Sequence, residues 1–330
     1  MDFFQLEKIL QDCPPFRVRQ AKEAVFKNLI SDWSEATNLG KDLQERLTRV
    51  SPLGLEGKTE VSEDKKTVKA VLFLKDGEKV ETVLMRHKQR NTVCVSTQVG
   101  CSLACDFCLT GRSGWVRDLE AGEIVAQILF LARFLKLKKE RVSNVVFMGM
   151  GEPFLNYSET IKAVRMINQE MGIGSRKISI STVGIVEGIK NLIKEPEQVN
   201  LAVSLHAPDS SLRSQLMPIN EKYPLEKLLA AVKSYIEKTN RKVMIEYLML
   251  KSINDSPERA EQLAKLLTSQ LPPLFVVNLI SYNSTRRYQA SSLEKILRFR
   301  KVLERYNLEV VQRYKFGRDI KGACGQLTKK

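Results

Sequence analysis

The sequence of 330 residues is 43% hydrophobic, which is enough for a sizeable core and argues against wholesale disorder. No stretch approaches the roughly 20 apolar residues of a membrane-spanning helix, and the first residues contain no apolar run of signal-peptide length, so we expect a soluble, cytoplasmic protein. Lys and Arg outnumber Asp and Glu by 53 to 38. The resulting net charge of +15 indicates either a solvated lysine-rich surface or a polyanionic partner such as a nucleic acid.

Helices are predicted first along the chain, where apolar side chains recur at helical spacing, as in the segment 3–10. Alternating apolar residues then flank Asp76-Gly77, a pair that favours a tight turn, and they predict a β-hairpin. We therefore expect a small N-terminal helical region over residues 1–60 and a β-hairpin extension over residues 61–90.

Beyond residue 90, apolar strands alternate with amphipathic helices. The predicted strands cover residues 92–97, 144–148, 177–182, 200–205, 242–250, 274–280 and 309–314. The predicted helices between them cover residues 123–135, 157–170, 186–193, 225–238, 256–267 and 292–306. This alternation indicates an α/β fold of parallel βαβ units with right-handed crossovers. About six such units predict a partial or complete β/α barrel over residues 91–330, with its active site at the carboxyl ends of the strands.

Polar or glycine-rich features lie at the ends of five of these strands or just after them. They are the cysteine loop 101–108, the GMGEP turn 149–153, Ser181-Thr182, the segment 204–206 and Asn283. Because the carboxyl ends of parallel strands meet at the same edge of the sheet, we expect the five features to converge on one face of the barrel.

Three of the six cysteines form the pattern C-x3-C-x2-C, namely Cys101, Cys105 and Cys108. A structural zinc site usually takes four ligands from paired knuckles, and His87 and His206 are the only histidines of the chain. A cubane [4Fe–4S] cluster takes one thiolate per iron, so three thiolates leave one iron open. The spacing resembles the signature of radical S-adenosylmethionine (SAM) enzymes. In that superfamily SAM chelates the open iron, and one electron cleaves its sulfonium bond to give a 5′-deoxyadenosyl radical.

The loop MGMGEP supports this resemblance. Gly149 and Gly151 let the backbone approach a ligand closely, and Glu152 can face an ammonium group. Alone, a G-x-G after a strand is often an ordinary turn. Beside the cysteine loop, it is similar to the superfamily's contact with the amino group of SAM.

Two further cysteines lie apart from the loop. Cys94 falls inside the predicted strand 92–97, and Cys324 lies in the glycine-flanked segment 317–327. Each alone is compatible with a structural thiol. Together with their surroundings, they resemble the RlmN and Cfr family of radical SAM RNA adenine methyltransferases, and the dual-specificity RlmN branch most. The matching segments, which run through nearly the whole chain, are FRVRQ (16–20), VETV (80–83), TVCVSTQVGCSLACDFCLTG (92–111), FMGMGEP (147–153), ISTVGIV (180–186), VSLHAP (203–208), MPINEKYP (217–224), VNLISYN (277–283) and DIKGACGQL (319–327).

The chemistry of that family explains why it needs both thiols. Ring carbons C2 and C8 of adenine are not useful nucleophiles, so the family first methylates one of its own cysteines, a substitution that a thiolate can perform. The radical from a second SAM then removes hydrogen from the thiomethyl group, and the carbon radical adds to the ring. A base removes the ring proton, and the second thiol forms a disulfide with the first, which releases the product.

The resemblance implies that Cys324 carries the methyl group, that Cys94 resolves the adduct through a transient disulfide, and that Glu81 accepts the proton. The expected SAM contacts are Gly151, Glu152, Ser181, Ser204, Leu205, His206 and Asn283. The expected ligands of one [4Fe–4S] cluster per chain are Cys101, Cys105 and Cys108. Taken alone, Glu81 is also compatible with a solvated hairpin glutamate and His206 with a structural histidine, while Cys13 matches no family role.

The resemblance also implies an RNA substrate, namely adenine 2503 of 23S rRNA and, for the RlmN branch, adenine 37 of certain tRNAs, methylated at C2. Two alternatives stay open. One is methylation at C8, the Cfr reaction, since the segment STRRYQASS (284–292) departs from the motifs of both branches. The other is an RNA-binding protein whose iron–sulfur cluster is structural or redox-sensing. We expect a monomer that receives electrons from a flavodoxin or ferredoxin and docks RNA partly through its N-terminal helices.

Overall fold

The computed structural model describes residues 3–285, 287–313, 317 and 319–328. Its helices are α1 (Phe3–Gln11), α2 (Pro15–Phe26), α3 (Lys41–Val50), α4 (Leu109–Arg112), α5 (Ala121–Lys136), α6 (Tyr157–Gln169), α7 (Val186–Leu192), α8 (Ser210–Leu216), α9 (Leu225–Thr239), α10 (Pro257–Gln270) and α11 (Leu293–Arg305). Its strands are β1 (Gly57–Val61), β2 (Thr67–Phe73), β3 (Lys79–Arg86), β4 (Asn91–Val95), β5 (Gln98–Gly100), β6 (Trp115–Asp118), β7 (Asn144–Phe147), β8 (Ile178–Thr182), β9 (Asn200–Ser204), β10 (Val243–Met249), β11 (Phe275–Ser281) and β12 (Val310–Gln312).

The parallel strands form a continuous sheet in the order β4-β7-β8-β9-β10-β11-β12, with helices in the connections between them. Each strand and helix predicted beyond residue 90 is confirmed, with ends that differ by a few residues. Central strands such as β9 and β10 are buried on both faces, which explains their nearly unbroken apolar sequences. Within the described residues the sheet ends at β12, which pairs with β11 alone, so the barrel is partial.

The predicted hairpin is confirmed as β2 and β3, and it belongs to an antiparallel extension that also contains β1. The sequence of β1, GKTEV, is polar and almost wholly exposed, so it lacks the alternation by which β2 and β3 were predicted. The boundary expected at residue 60 falls inside this strand. Because β3 pairs with β4 in the register Val83 to Cys94, the extension continues the sheet of the barrel.

The N-terminal helices pack against the outer helices of the barrel. Trp33 is fully buried, and its indole N–H donates to Ser51 O at 2.8 Å. Arg133 of α5 donates to Leu53 O at 2.9 Å, and Lys22 of α2 forms an ion pair of 2.7 Å with Glu170 after α6. Across the ranges described above, no helix combines the length and apolar character needed to span a membrane.

Candidate active site

A cavity opens at the carboxyl ends of the parallel strands and encloses about 1020 Å³, part of it open to solvent. The predicted site residues that line it are Cys101, Cys105, Cys108, Gly151, Glu152, Ser181, Ser204, His206 and Cys324. An adjoining cavity of about 550 Å³ is lined by Asn283 and Cys94, and Cys324 lines both. The predicted convergence on one face is therefore confirmed, with Asn283 displaced into the smaller cavity.

A two-stranded antiparallel ribbon of β5 and β6 forms the base of the cysteine loop. Cys101 N–H donates to Gly114 O at 3.1 Å. Gly100 has a φ of +79°, and a Cβ at this position would lie 1.8 Å from Gly114 O, so only glycine fits there. The ribbon was missed at the sequence level because Gln98–Gly100 is too short to show a pattern of alternation.

The three loop thiols line the larger cavity, where each could bind a separate iron of a multi-iron cluster. Burial raises the pKa of Cys101 to about 12 and that of Cys105 well above its usual range, so an incoming metal has to displace their protons. In the part of the chain that the structure describes, no group of three or more His, Cys, Asp or Glu side chains is arranged to hold one metal ion.

The outer side of the cysteine loop is held by the segment that follows Asn283. Asp106 accepts a hydrogen bond of 2.9 Å from Arg287 Nε and another from the Tyr288 hydroxyl. The Thr285 hydroxyl donates to Phe107 O at 3.3 Å. The described residues of 284–292, the segment that departs from the family motifs, therefore support the loop that carries the cysteines.

The loop after β7 packs directly against the end of β4. Gly149 N–H donates to Val95 O at 3.0 Å. A Cβ on Gly149 would lie 2.7 Å from the Val95 backbone, and a Cβ on Gly151, whose φ is +94°, would lie 2.6 Å from Gln98 Cβ. The sequence suggested close approach to a ligand as the reason for these glycines. In the structure the close approach of β4 to Gly149 and of β5 to Gly151 already requires glycine at both positions. Gly151 also lines the cavity.

Glu152 lines the larger cavity, and backbone N–H groups hold its carboxylate in place. Its Oε2 accepts from Val183 N–H at 2.8 Å, and its Oε1 accepts from Phe154 N–H at 3.0 Å. Burial raises the pKa of Glu152 to about 7. Each carboxylate oxygen has two lone pairs, so the group can accept a further donor from a ligand without losing these bonds.

Glu246 of β10 also lines the cavity, although the sequence analysis did not select it. Its Oε2 accepts hydrogen bonds from Ser181 Oγ at 2.8 Å and from Ser204 Oγ at 3.4 Å. The side chain is buried, with 4% of the residue exposed. A single glutamate inside the apolar strand KVMIEYLML was the available signal, because buried carboxylates are rare unless they are paired.

His206, Leu205 and Asn283 occupy three different environments. His206 has a φ of +62°, and its Nδ1 accepts from Leu248 N–H at 3.2 Å. Burial lowers the pKa of His206 to about 3, so the imidazole is neutral. The Leu205 side chain is fully buried in the main core and does not line the cavity. Asn283 Nδ2 donates to Cys324 O at 3.4 Å.

Cys94 and Cys324 are free thiols that line the same small cavity although they are far apart in the sequence. Burial raises the pKa of Cys94 to about 12, and the neighbouring charge of Cys324 adds to this increase. Arg313, which lines both cavities, opposes it. A negative charge on Cys324 therefore disfavours a second charge on Cys94.

Hydrogen bonds tie the segment of Cys324 to the cysteine loop. Leu109 N–H donates to Gly325 O at 2.9 Å, and the Thr110 hydroxyl donates to Leu327 O at 2.7 Å. Both donors follow Cys108 directly in α4. One short helix thus links the segment of Cys324 to Cys108, the last cysteine of the loop.

Glu81 of β3 lies beneath this C-terminal segment. Its Oε2 accepts from Thr328 N–H at 2.8 Å, and Lys69 Nζ lies 3.6 Å from its Oε1. Burial raises the pKa of Glu81, while Thr328 and Lys69 oppose the increase. The residue is 6% exposed, which contradicts the alternative of a solvated hairpin glutamate.

The Radical SAM superfamily model matches residues 95–267 of the chain. A protein of Dictyoglomus thermophilum named probable dual-specificity RNA methyltransferase RlmN is 45% identical over 318 residues, which cover 95% of this chain and 90% of that protein. The chain belongs to the RlmN family of radical SAM RNA methyltransferases. A Geobacillus kaustophilus protein of the same name is 44% identical over 98% of this chain and 89% of its own length.

A solved structure supports the same assignment. The crystal structure of a radical SAM methyltransferase from Sphaerobacter thermophilus superimposes with a TM-score of 0.94 at 40% identity, covering 100% of this chain and 98% of that one. Membership of the RlmN family implies a [4Fe–4S] cluster, SAM and an RNA substrate, so RNA methylation is favoured over the redox-sensing alternative. The superfamily match starts after Cys94 and ends before Cys324, so both lie outside the region shared by radical SAM enzymes in general.

We expect Gly149→Ala to lower the free energy of unfolding by about 1–3 kcal/mol, because the new Cβ would overlap the Val95 backbone. Gly174→Ala is the matched control. Nothing lies within 4 Å of a Cβ at Gly174, so this change should stay within about 1 kcal/mol of the parent. Denaturant unfolding measures both variants, and equal midpoints for the two would contradict the crowding at Gly149.

Proposed function

We propose that this RlmN-family chain is a cytoplasmic enzyme that methylates C2 of adenine in RNA, at position 2503 of 23S rRNA and at adenine 37 of tRNA. The proposed route runs through an S-methylcysteine on Cys324 and a transient disulfide with Cys94. The observation that supports it most is the position of Cys324 in both cavities, one lined by the three loop cysteines and the other by Cys94. A thiol in this position can receive a methyl group from the side of the larger cavity. Cys94 can attack its sulfur from the side of the smaller cavity.

The proposed cofactor site lies in the larger cavity. Cys101, Cys105 and Cys108 would each bind one iron of a single [4Fe–4S] cluster. When bound there, the cluster and SAM supply both the methyl group and the adenosyl radical, with two SAM molecules consumed per methylation and one electron from a flavodoxin or ferredoxin. Of the proposed SAM contacts, Gly151, Glu152, Ser181, Ser204 and His206 line this cavity. Asn283 would contact SAM from the adjoining cavity, and Leu205, whose side chain is buried in the core, would contact it through its backbone.

Cys324 would act twice. As a thiolate it takes the methyl group, so that an S–C bond forms on its sulfur. After a hydrogen atom is removed from the thiomethyl group, the methylene carbon forms a bond to adenine C2. The protein and the RNA are then joined covalently through Cys324, which explains why a second thiol is needed to separate them.

Glu81 and Cys94 would complete the reaction. The unpaired electron of the adduct would pass to a one-electron acceptor, for which the bound iron–sulfur cluster is available, and the Glu81 carboxylate would accept the proton from C2. Cys94 then attacks the sulfur of Cys324, so an S–S bond forms and the S–C bond breaks. The electron pair of the S–C bond stays on the carbon, which takes up a proton and becomes the methyl group of the product.

The charge of the chain supports an RNA substrate. A net charge of +15 favours phosphate contacts, which supply most of the sequence-independent affinity for nucleic acids. A base that is modified at a ring carbon has to leave its stack to reach a buried thiol such as Cys94 or a half-buried one such as Cys324. Looped or locally unstacked RNA is therefore the expected form of the substrate.

We expect Cys94→Ala protein made in cells to retain RNA on Cys324, because no thiol remains to break the S–C bond. Peptide mass spectrometry should find a nucleotide adduct, or at least a methyl group, on this cysteine. Cys13→Ala is the matched control, since Cys13 lies away from both cavities. Unmodified Cys324 in cluster-replete and SAM-replete Cys94→Ala protein would overturn the proposal. Nucleoside analysis of RNA methylated by the parent enzyme separates the C2 product from the C8 product.

Glu81→Gln should also accumulate the adduct, because glutamine cannot accept the ring proton. In the parent enzyme, burial raises the pKa of Glu81, so the carboxylate becomes protonated at a higher pH than an ordinary glutamate. We therefore expect single-turnover release of methylated RNA to slow as the pH falls through this raised pKa. The measurement starts from enzyme already methylated on Cys324. Normal release by the Glu81→Gln variant would contradict the assigned role.

A further inference from the structure

Arg313 is a cation at the junction of the two cavities. It follows β12 and lines both, with 21% of its side chain exposed. Its Nη1 lies 3.6 Å from Glu246 Oε1, and both terminal nitrogens lie 3.4 Å from Met148 Sδ. A guanidinium that loses this much solvent needs a neighbouring negative charge, and Glu246 supplies one.

Glu246 connects this cation to the proposed SAM contacts. Its Oε2 accepts from Ser181 and Ser204, whereas its buried Oε1 has no hydrogen-bond partner and lies near Arg313. One carboxylate therefore holds the serines with one oxygen and attracts the guanidinium with the other. The Glu246 side chain therefore holds the guanidinium of Arg313 in place, and it also holds Ser181 and Ser204 in the wall of the larger cavity.

The thiols of the small cavity interact with this pair of charges. The Cys324 thiolate is the largest influence on the pKa of Arg313 and raises it; burial opposes the increase, and Glu246 and Cys94 add to it. In turn, Arg313 opposes the burial that raises the pKa of Cys94, whereas Glu246 raises it further. His87 also lies within the field of Arg313: burial lowers the pKa of His87, and Arg90 and Arg313 lower it further.

We propose that Arg313, fixed by Glu246, is a positioning residue that stabilises negative charge on the sulfur atoms of Cys324 and Cys94 when these thiols react. This inference rests on the proposed function. A thiolate is the reactive form of cysteine in substitution and in disulfide exchange. Arg313 is placed to serve both steps, because both sulfurs share its cavity.

In the first step, the Cys324 thiol releases its proton to solvent and its sulfur donates an electron pair to the methyl carbon of SAM. The new S–C bond forms as the sulfonium C–S bond breaks, and S-adenosylhomocysteine leaves with that electron pair. In the last step, the Cys94 thiolate attacks Cys324 Sγ. The S–S bond forms, and the electron pair of the broken S–C bond goes to the methylene carbon, which takes up a proton.

The test measures the alkylation rate of Cys324 by iodoacetamide, resolved by peptide mass spectrometry on cluster-loaded protein. The ratio of the rates at about pH 7.5 and about pH 9.5 reports thiolate formation and cancels differences in access. We expect Arg313→Gln to lower this ratio about tenfold, and Arg313→Lys to lower it less than about threefold because the charge is kept. Glu246→Gln, which keeps an oxygen for the serines, should raise the ratio.

A lowered alkylation ratio in Arg313→Gln and a raised ratio in Glu246→Gln indicate an electrostatic role. A purely structural role would loosen the cavity in both variants and change both ratios in the same direction. Arg300→Gln is the matched control, because Arg300 pairs with Glu304 on the exposed side of α11 and should leave the ratio unchanged. An unchanged ratio in Arg313→Gln would overturn the inference. If that variant loses its cluster or its fold, Arg313→Lys and Glu246→Gln decide: a raised ratio in Glu246→Gln supports the inference, and a lowered one overturns it.

The proposed function is tested separately by the methyl group on Cys324 in Cys94→Ala protein. A missing methyl group overturns the proposed function, while the alkylation ratios of the Arg313 variants still report whether Arg313 stabilises the thiolate. A methyl group that is present, together with an unchanged ratio in Arg313→Gln, removes the role of Arg313 and leaves the proposed function intact.

Discussion

A hydrogen-bonded junction at Ser96 fixes the strands and loops that carry the reactive groups. The buried Ser96 hydroxyl donates to Glu81 O at 2.6 Å and accepts from Met150 N–H at 2.8 Å. Its backbone N–H and C=O pair with the side-chain amide of Gln127 at 2.8 and 2.9 Å. One residue thereby joins β3, the end of β4, the loop after β7 and helix α5. Because these partners are buried, loss of this hydroxyl would leave polar groups unpaired between β3, β4 and the loop after β7.

The position of the two distant thiols follows from that junction. The register of β3 on β4 places Val83 opposite Cys94, and Leu327 packs into the same small apolar cluster. The C-terminal segment is therefore held over β4 by apolar contact on one side and by the hydrogen bonds of α4 on the other. In the RlmN family member described by this structure, Cys324 lines both cavities because its segment is attached to the cysteine loop and to the strand that carries Cys94.

Sequence patterns predicted the secondary-structure elements, their order and the residues of known motifs. They did not predict side-chain contacts between segments that are distant in the sequence. The alternation of apolar strands and amphipathic helices was enough for the partial barrel, and the carboxyl-end rule was enough to group the cysteine loop with Ser181, Ser204 and His206. Motif resemblance selected Cys94 and Cys324. Glu246 was missed because it is a single polar residue inside an apolar strand, and Arg313 was missed because it follows β12 outside any recognised motif. Only folding places the two together. The sequence analysis explained Gly149 only by the close approach of a ligand. In the structure the backbone of β4 already crowds this residue.

The buried Arg213 and the partly buried Arg313 have different surroundings, and these indicate different tasks. Arg213 is fully buried and donates to neutral acceptors, to Asn220 Oδ1 at 2.8 Å and to Val183 O at 2.6 Å, and burial lowers its pKa to about 10. Its hydrogen bonds hold the loop after β8 against helix α8, which is a structural task. Arg313 instead has a carboxylate, a thioether and two thiols around it. A buried ion pair adds little stability by itself, because desolvation offsets most of the attraction. Under the proposed function, an ion pair beside Cys94 and Cys324 is explained by the negative charge that these cysteines would develop when they react.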